Sequence, residues 1–167
     1  TSHADLILPT TVSAEEENFD FTYATTCSHN YARWSPAIFD APALAKPHWE
    51  VLMRLVEAAT GVTLEQLDEA MVGGIAASVA RPGGRCEGKT PAELIAAIGA
   101  ERGPLRILDL MLRAGPYGDR FVAGKEGLSL RALRECGGLV DLGVGTGSQL
   151  ELIDGTEADG CPLATDT

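Results

Sequence analysis

Two capping boxes constrain how the middle of this chain can fold. The segments 63–66 (TLEQ) and 90–93 (TPAE) each place a threonine three residues before a Gln or Glu. In such a box the two side chains satisfy backbone groups that a new helix leaves without partners. Pro91 lies at the first helical position, where its missing N–H does no harm. The sequence therefore predicts helices that begin directly after Thr63 and Thr90.

Three further helices are predicted from apolar periodicity and from the proline and glycine residues at their ends. One opens at Lys46-Pro47 and closes at Gly61. Another runs from Pro104 to Gly115-Pro116, and a short one is capped by Ser129 and broken at Gly137-Gly138. Residues 46–143 are thus expected to be mainly α-helical.

The first 45 residues lack this periodicity. Residues 6–8 (LIL) form an apolar run that stops at Pro9, as a buried strand does where it meets a loop. The long irregular segment that follows is uncommon in a compact domain unless it lines a site or lies against another domain. We therefore expect an α/β fragment with one or two N-terminal strands and a long loop over residues 1–45, followed by the mainly α-helical region 46–143. Residues 144–167 are expected to be a flexible, divergent tail.

The charge balance excludes several classes of partner. Thirteen Lys and Arg against 24 Asp and Glu give a formal net charge of −11, and the basic residues form no cluster that could meet a phosphate backbone. Nucleic acid and anionic membrane surfaces are therefore poor partners. No apolar run approaches the roughly 20 residues that a membrane-spanning helix needs, and no signal peptide precedes His3, so a cytoplasmic location is expected.

The cysteines argue against a metal site. Cys27, Cys86, Cys136 and Cys161 are widely separated, and no pair has C-x-x-C spacing. The sequence therefore predicts no zinc or iron–sulfur site built by this chain alone. Reduced thiols are the expected state, and two disulfides in an oxidising compartment are the alternative.

Six residues of the first segment are candidates for binding a polar ligand. They are Thr10, Thr11, Glu15, His29, Asn30 and Arg33. Hydroxyl, amide and guanidinium groups can bind the phosphates and the polar edge of a dinucleotide-like cofactor, and a carboxylate can accept from ring amines. The alternative is that all six are solvated loop residues. No catalytic residue and no metal ligand is assigned.

Two pairs of carboxylates and two tryptophans have structural interpretations. Asp68 with Glu69, and Asp119 near Glu126, could support acid–base chemistry if burial separated their pKa values. On amphipathic helices such pairs usually face solvent, which is the prediction here. The tryptophans, Trp34 and Trp49, are expected to anchor packing.

The segment 141–147 (DLGVGTG) resembles the first motif of S-adenosylmethionine-dependent methyltransferases, in which a strand ends in a glycine turn. Ser148 stands where the dinucleotide-binding pattern has its third glycine. Such a unit also needs a helix, a second strand and an acidic residue further on, and Gly155 and Gly160 fragment this part of the chain. A flexible end is the preferred interpretation, and a methyltransferase fragment is the minor alternative.

A broader resemblance covers roughly residues 3–143. The order of residues 4–11 (ADLILPTT), Glu15, residues 32–36 (ARWSP) and residues 46–50 (KPHWE) resembles the catalytic chain of molybdopterin-dependent oxidoreductases. This is the family that includes dimethyl sulfoxide reductase and formate dehydrogenases. Residues 108–119, with LDLMLR and GPYGD, resemble an insert of bacterial members. The match is to a middle portion of a much longer chain.

The resemblance implies an internal segment that helps to build an α/β domain around bis-molybdopterin guanine dinucleotide, with the six candidate residues near this cofactor. For the full-length enzyme it implies two-electron redox chemistry at molybdenum or tungsten, with electrons leaving through an iron–sulfur cluster that other regions hold. The implied partners are the remainder of the catalytic chain and an electron-transfer subunit. The isolated segment is expected to be inactive. A stand-alone acidic helical interaction module is the alternative.

Overall fold

The structure is a computed structural model that describes residues 3–24, 27, 29–99 and 101–144. These ranges hold five α-helices and a three-stranded sheet, so the fold is broadly α/β and mostly helical in its second part. The strands are β1 (Asn18–Phe19), β2 (His29–Ser35) and β3 (Leu139–Val144). The helices are α1 (His48–Thr60), α2 (Leu64–Ala80), α3 (Pro91–Ala97), α4 (Pro104–Ala114) and α5 (Leu130–Glu135).

Both predicted capping boxes are confirmed. Thr63 Oγ1 accepts from Gln66 N at 3.3 Å while Thr63 N donates to Gln66 Oε1 at 3.0 Å. Thr90 makes the same exchange with Glu93, at 3.2 and 2.7 Å. The other predicted ends are confirmed as well, because α1 stops at Gly61 in a left-handed conformation (φ 75°) and Ser129 caps α5.

The sheet is antiparallel in the order β1-β2-β3. β3 lies in the region predicted to be mainly helical, and it pairs with β2 from the other end of the described chain. Its register with β2 shifts between Asn30 and Tyr31, where one residue of β3 is left without a partner. Asp141 therefore lies opposite Tyr31, and Gly143 lies opposite Asn30.

Two apolar clusters hold the described residues together. The first joins α2, α3, α4 and the loop after α4, and is built on Val72, Leu94, Leu110 and Phe121. The second places α5 and Leu128 against the sheet, around Ala32 and Leu133, with Trp34 packed beside them. Trp34 thus contributes to packing as predicted.

The predicted buried strand at the start of the chain is wrong. Leu6, Ile7 and Leu8 lie outside the strands, and they are 75%, 59% and 48% exposed. A strand that is apolar on both faces needs neighbours on both faces, and the described part of the chain supplies none. The α1 helix is likewise without a single buried residue, although it is amphipathic.

The prediction that Asp68 faces solvent is also wrong. Its side chain is 1% exposed, and it accepts from Gly103 N at 2.9 Å and from Arg106 Nη1 at 3.1 Å. Arg106 is itself buried and also donates to the exposed Glu69 at 2.7 Å. The Asp68–Arg106 pair therefore joins α2 to the start of α4 as a structural element.

Three cysteines of the described ranges, Cys27, Cys86 and Cys136, are free thiols. Cys86 is buried in the first cluster, and this burial raises the pKa of its thiol. A buried thiol with a raised pKa is a packing residue with low reactivity. Cys161 and the glycines of the DLGVGTG motif beyond Val144 lie outside the described residues.

No helix in these ranges is both long and apolar enough to cross a bilayer.

Candidate functional site

The candidate site lies on the face of β2 that points away from the second apolar cluster. Side chains alternate along a strand, so His29, Tyr31 and Arg33 share one face, and Asn30, Ala32 and Trp34 share the other. Ala32 and Trp34 belong to the second cluster. We call the opposite side, with His29, Tyr31 and Arg33, the outer face.

Tyr31 and Asp20 form a hydrogen-bonded pair on the outer face. Tyr31 Oη donates to Asp20 Oδ2 at 2.8 Å, and Asp20 Oδ1 accepts from Tyr23 N at 2.9 Å. The bond to the carboxylate, together with partial burial, raises the pKa of Tyr31 to about 12. The same bond, with the Tyr23 N–H, lowers the pKa of Asp20. At neutral pH Tyr31 is therefore a fixed donor and Asp20 a fixed anion.

His29 and Asp141 form a second pair at the end of the outer face. His29 Nε2 lies 2.7 Å from Asp141 Oδ1, which also accepts from Gly143 N at 2.8 Å. The hydrogen bond from the Gly143 N–H lowers the pKa of Asp141, and the hydrogen bond with His29 lowers it to a smaller extent. Both side chains are exposed. The first residue of the DLGVGTG motif thus holds a histidine in this structure.

Arg33 is the cation of the outer face. It is exposed, and its guanidinium makes no hydrogen bond or ion pair with any of the described residues. It lines a cleft of about 310 Å³ beside β1 and another of about 540 Å³ beside β3. Its guanidinium can donate to an anion that enters either cleft, in competition with Asp20, whose pKa Arg33 helps to lower.

The threonines and Glu15 lie on a separate segment. Thr10 forms a parallel bridge with Lys46, and Thr11 N donates to Lys46 O at 3.1 Å. Thr11 is buried at 2% exposure, and its hydroxyl donates to Glu16. Glu15 Oε2 accepts from Val12 N at 3.1 Å. The hydroxyl of Thr11 and the carboxylate of Glu15 therefore stabilise their own loop, whereas Thr10 is exposed.

Asn30 points to the helical side of the sheet. Its Nδ2 donates to Tyr117 Oη at 3.1 Å, in the GPYGD loop after α4. The structure thus places His29 and Arg33 together on the outer face and Asn30 behind them.

Another cleft, of about 560 Å³, lies between α4 and α5 and is lined by Arg106, Arg113, Arg131 and Arg134. Each of these arginines has a carboxylate partner. The distances are 2.7 Å for Arg106–Glu69, 2.8 Å for Arg113–Asp119, 2.8 Å for Arg134–Glu17 and 3.9 Å for Arg131–Glu135. An anion would have to compete with these carboxylates, so we interpret this cleft as an ion-pair network that joins the helices.

Four residues that contribute to the outer face or bond to its candidates were not assigned to this site from the sequence: Asp20, Tyr31, Tyr117 and Asp141. Tyr31 carried a local signal, because it lies two residues from both His29 and Arg33 and so falls on the same strand face. Asp141 and Tyr117 carried none, because they approach β2 from more than 80 residues away.

Within the residues that the structure describes, no three His, Cys, Asp or Glu side chains converge as a metal site requires. Comparison of the chain with protein-family models, with curated proteins and with solved structures found no match.

Proposed function

We propose that this chain is part of the catalytic chain of a molybdopterin-dependent oxidoreductase and helps to build the α/β domain that binds molybdopterin guanine dinucleotide. On its own the segment is inactive. The remainder of the catalytic chain is its first partner, and an electron-transfer subunit is the second. The full enzyme works in the cytoplasm.

The observation that carries this proposal is the uncovered apolar surface of the first third of the chain. Among the residues that the structure describes, thirteen of the eighteen exposed large hydrophobic side chains lie between Leu6 and Val62. Burial of apolar surface contributes about 25 cal/mol per Å², so an independent domain gains by turning such side chains inward. Their exposure supports a segment whose apolar faces are covered by the rest of a larger domain.

The contact between two motifs of the resemblance gives further support. Lys46 N donates to Pro9 O at 3.2 Å and Lys46 O accepts from Thr11 N at 3.1 Å, which is the pattern of a parallel pair. The LPTT stretch and the KPHWE stretch are therefore neighbours although 35 residues separate them. Parallel pairing belongs to sheets that are covered on both faces, as in an α/β domain.

The donor set fits an anionic dinucleotide in part. Arg33 is exposed and would hold a phosphate, although the Asp20 carboxylate lies close enough to interact with it. Thr10 is exposed and would contact polar atoms nearby, whereas His29 is paired with Asp141. Thr11 and Glu15 already make hydrogen bonds within their own loop, so we expect them to stabilise the conformation of that loop and not to contact the cofactor. The cofactor would supply two-electron redox chemistry at the metal, and this chain would supply binding and orientation.

The first test is the mass of the native polypeptide that contains the peptide Ile107–Arg113. Denaturing separation of a source-cell extract, followed by peptide identification, is expected to place this peptide in a chain several times heavier than 17.5 kDa. A native chain near 17.5 kDa would overturn the proposal and favour a stand-alone interaction module.

The second test is the molybdenum or tungsten content of the purified native polypeptide. We expect bound metal in the wild type, and a binding affinity for the cofactor about tenfold lower in Arg33→Ala, because a lost charged hydrogen bond costs about 1.5–3 kcal/mol. Arg131→Ala is the control, since Arg131 is 86% exposed and distant from the outer face. Metal-dependent turnover by the isolated 167 residues would contradict the assignment of the segment as inactive.

A further inference from the structure

Two loops of the helical region bring together cations that lie far apart in the sequence. One loop, residues 81–89, follows α2, and the other, residues 119–125, follows α4. Both loops contribute a buried side chain to the first apolar cluster. Arg120 of one loop and Lys89 of the other lie close enough to Cys86 to act electrostatically on its thiol. The two loops therefore form one surface.

We call the two loops the basic surface, after their five cations Arg81, Arg85, Lys89, Arg120 and Lys125. All of these side chains are exposed except that of Lys89, which is half-buried. The loops contain two acidic residues, and both already have partners: Glu87 accepts from Gly83 N at 3.2 Å, and Asp119 binds Arg113 at 2.8 Å. The other described residues hold 8 Lys and Arg against 17 Asp and Glu, so this surface is a local exception in an acidic chain.

The five cations have weaker partners than most arginines of the described chain. Six arginines elsewhere each form an ion pair, namely Arg54, Arg102, Arg106, Arg113, Arg131 and Arg134. No cation of the basic surface forms an ion pair with a carboxylate of the described residues. Lys89 lies near enough to Glu93, and Lys125 to Asp119, for a weak electrostatic interaction. The basic surface therefore retains positive charge that an anionic group can neutralise.

Apolar side chains lie among these charges. Val122 stands between Arg120 and Lys125 in the chain, Tyr117 precedes them, and both apolar side chains are exposed. A peptide can offer carboxylates and apolar side chains together, whereas a nucleic-acid backbone offers only phosphates to such a surface. The chemistry of the basic surface therefore fits an acidic peptide segment that also carries apolar residues.

The chain supplies a segment of this chemistry directly after β3. Residues 145–167 lie outside the described residues, and their sequence holds five Asp and Glu and no Lys or Arg. Within this sequence, residues 150–154 (LELID) combine three apolar residues with two acidic ones. Both the charge and the apolar content of the segment are thus complementary to the basic surface.

The end of β3 lies beside the basic surface. Gly143 is paired with Asn30, whose Nδ2 donates to Tyr117 Oη at 3.1 Å. Tyr117 precedes Arg120 by three residues, so the chain leaves β3 next to the second of the two loops. Glu151 follows the end of β3 by seven residues, and an extended chain of that length spans up to about 25 Å. The acidic residues can therefore reach the basic surface.

We propose that the segment 150–159 (LELIDGTEAD) binds the basic surface of the same chain, with its carboxylates paired to the cations and its apolar side chains beside Val122. The inference goes beyond the proposed function and does not depend on the identity of the cofactor. An acidic partner can occupy this surface only by displacing the segment. The segment would then act as a built-in competitor for such a partner.

Cross-linking with a carbodiimide tests this contact. The reagent activates a carboxylate, which then forms an amide with a nearby lysine amine, while the reagent leaves as a urea. The 167 residues contain three lysines, Lys46, Lys89 and Lys125. In the full-length polypeptide at low salt, we expect mass spectrometry to find peptides that join Lys89 or Lys125 to residues 151–159. Lys46 is the internal control, because it is exposed and belongs to neither loop.

A triple variant separates binding from the chemistry of the reagent. Arg81→Ala, Arg85→Ala and Arg120→Ala together remove three cations but keep both reacting lysines and every carboxylate of the segment. We expect the yield of these cross-links to fall about threefold or more, because each exposed ion pair contributes a little to binding and three are lost. Far-UV circular dichroism checks that the helices of the variant remain folded.

The matched control makes the same change in net charge at exposed arginines outside the two loops. It combines Arg54→Ala, Arg102→Ala and Arg131→Ala, and its cross-linking yield is expected to equal that of the wild type. High salt is expected to lower the wild-type yield, because screened charges attract each other less.

Three results would overturn the inference. The first is a wild-type yield at Lys89 and Lys125 no higher than that at Lys46, and the second is an equal yield in the two triple variants. The third comes from a mixture of isotopically labelled and unlabelled chains: cross-links that join one kind to the other would assign the contact to a second copy and not to the same chain. A native polypeptide without molybdenum or tungsten would refute only the proposed function.

Discussion

The two parts of the molecule, residues 3–63 and residues 64–144, bury their side chains very differently. Thr11 and Ala32 are the only buried side chains among the described residues before Leu64, whereas Leu94, Leu110 and Leu133 of the second part are fully buried. The second part therefore has a hydrophobic core, whereas almost all described side chains of the first part are exposed or half-buried. What covers the first part must decide much of its stability.

The two parts meet through the second apolar cluster and through a polar contact beside it. Arg134 donates to both oxygens of Glu17, at 3.0 and 2.8 Å, and its guanidinium lies 5.7 Å from the ring centre of Trp34. Pairing of β2 with β3 adds the backbone connection. Loss of the first part is thus expected to leave the α2–α4 core intact, and the comparison can be tested one interaction at a time.

The largest effect is expected from Asp68→Ala. This change leaves the buried Arg106 without its buried partner and the N–H of Gly103 without its acceptor. Removal of one member of a buried ion pair costs about 3–5 kcal/mol. Denaturant unfolding followed by circular dichroism measures the loss. Glu65→Ala is the control, because both side chains of the Glu65–Arg102 pair are about half exposed and such a pair contributes little to stability.

The next largest effect is expected when one leucine of each part is replaced by alanine and the losses in the free energy of unfolding are compared. Leu94→Ala empties a fully buried position of the first cluster, and we expect it to lower the free energy of unfolding by about 2–5 kcal/mol. Leu52→Ala changes a side chain that is 63% exposed on α1, and we expect less than about 0.5 kcal/mol in the isolated chain. Similar losses for the two variants would refute the contrast between a core and a surface.

Alkaline titration tests whether the first part folds in the isolated chain. Three tyrosines are present, and Tyr31 is expected to ionise near pH 12 instead of its usual 10.0. The neutral phenol donates the bond to Asp20, so this contact stabilises the fold below pH 10 and is lost as the pH rises through about 12.

Absorbance at the tyrosinate band measures this ionisation, and Tyr31→Phe removes the late step. Asp20→Asn is expected to move the step toward the usual pKa. Absence of an ionisation step near pH 12 in the wild type would mean that the pairing of Asp20 with Tyr31 does not form without the rest of the protein.

The smallest effect is expected at the contact between the parts. Glu17→Gln weakens the pair with Arg134, in which both side chains are about one-third exposed, so the loss is at most about 1 kcal/mol. Tryptophan fluorescence is the more sensitive readout, because Trp34 Nε1 donates to Glu17 Oε2 at 2.8 Å. Glu135→Gln, on the exposed side of α5, is expected to leave the emission unchanged.

The helix ends were predictable from sequence because their interactions are local. Thr63 and Gln66 satisfy each other three residues apart, whatever the rest of the chain does. The burial of Asp68 was not predictable, since it depends on Arg106, 38 residues away. The strand predicted at Leu6–Leu8 failed for a related reason, because an apolar run becomes a strand only when other strands lie beside it.

The candidate site likewise has residues that the sequence indicated and contacts that it did not. The residue types of the first segment pointed to His29, Asn30 and Arg33, and the alternation of a strand explains why the first and the last of them share a face. The sequence did not indicate that Thr11 is buried where its segment pairs with Lys46. It also did not indicate that β3 pairs with β2 and so brings Asp141 to His29. The function of these residues remains a proposal that rests on the resemblance and on the chemistry of the outer face.

The pairing of β2 with β3 has a consequence for synthesis of the chain on the ribosome. Roughly a hundred residues separate Ser35 from Leu139, so at about 5–20 residues per second β2 emerges roughly 5–20 s before β3 exists. During that interval β2 has an unpaired edge, and unpaired edges join other strands. Nascent chains are therefore expected to need a chaperone most in this interval, before the last strand closes the sheet.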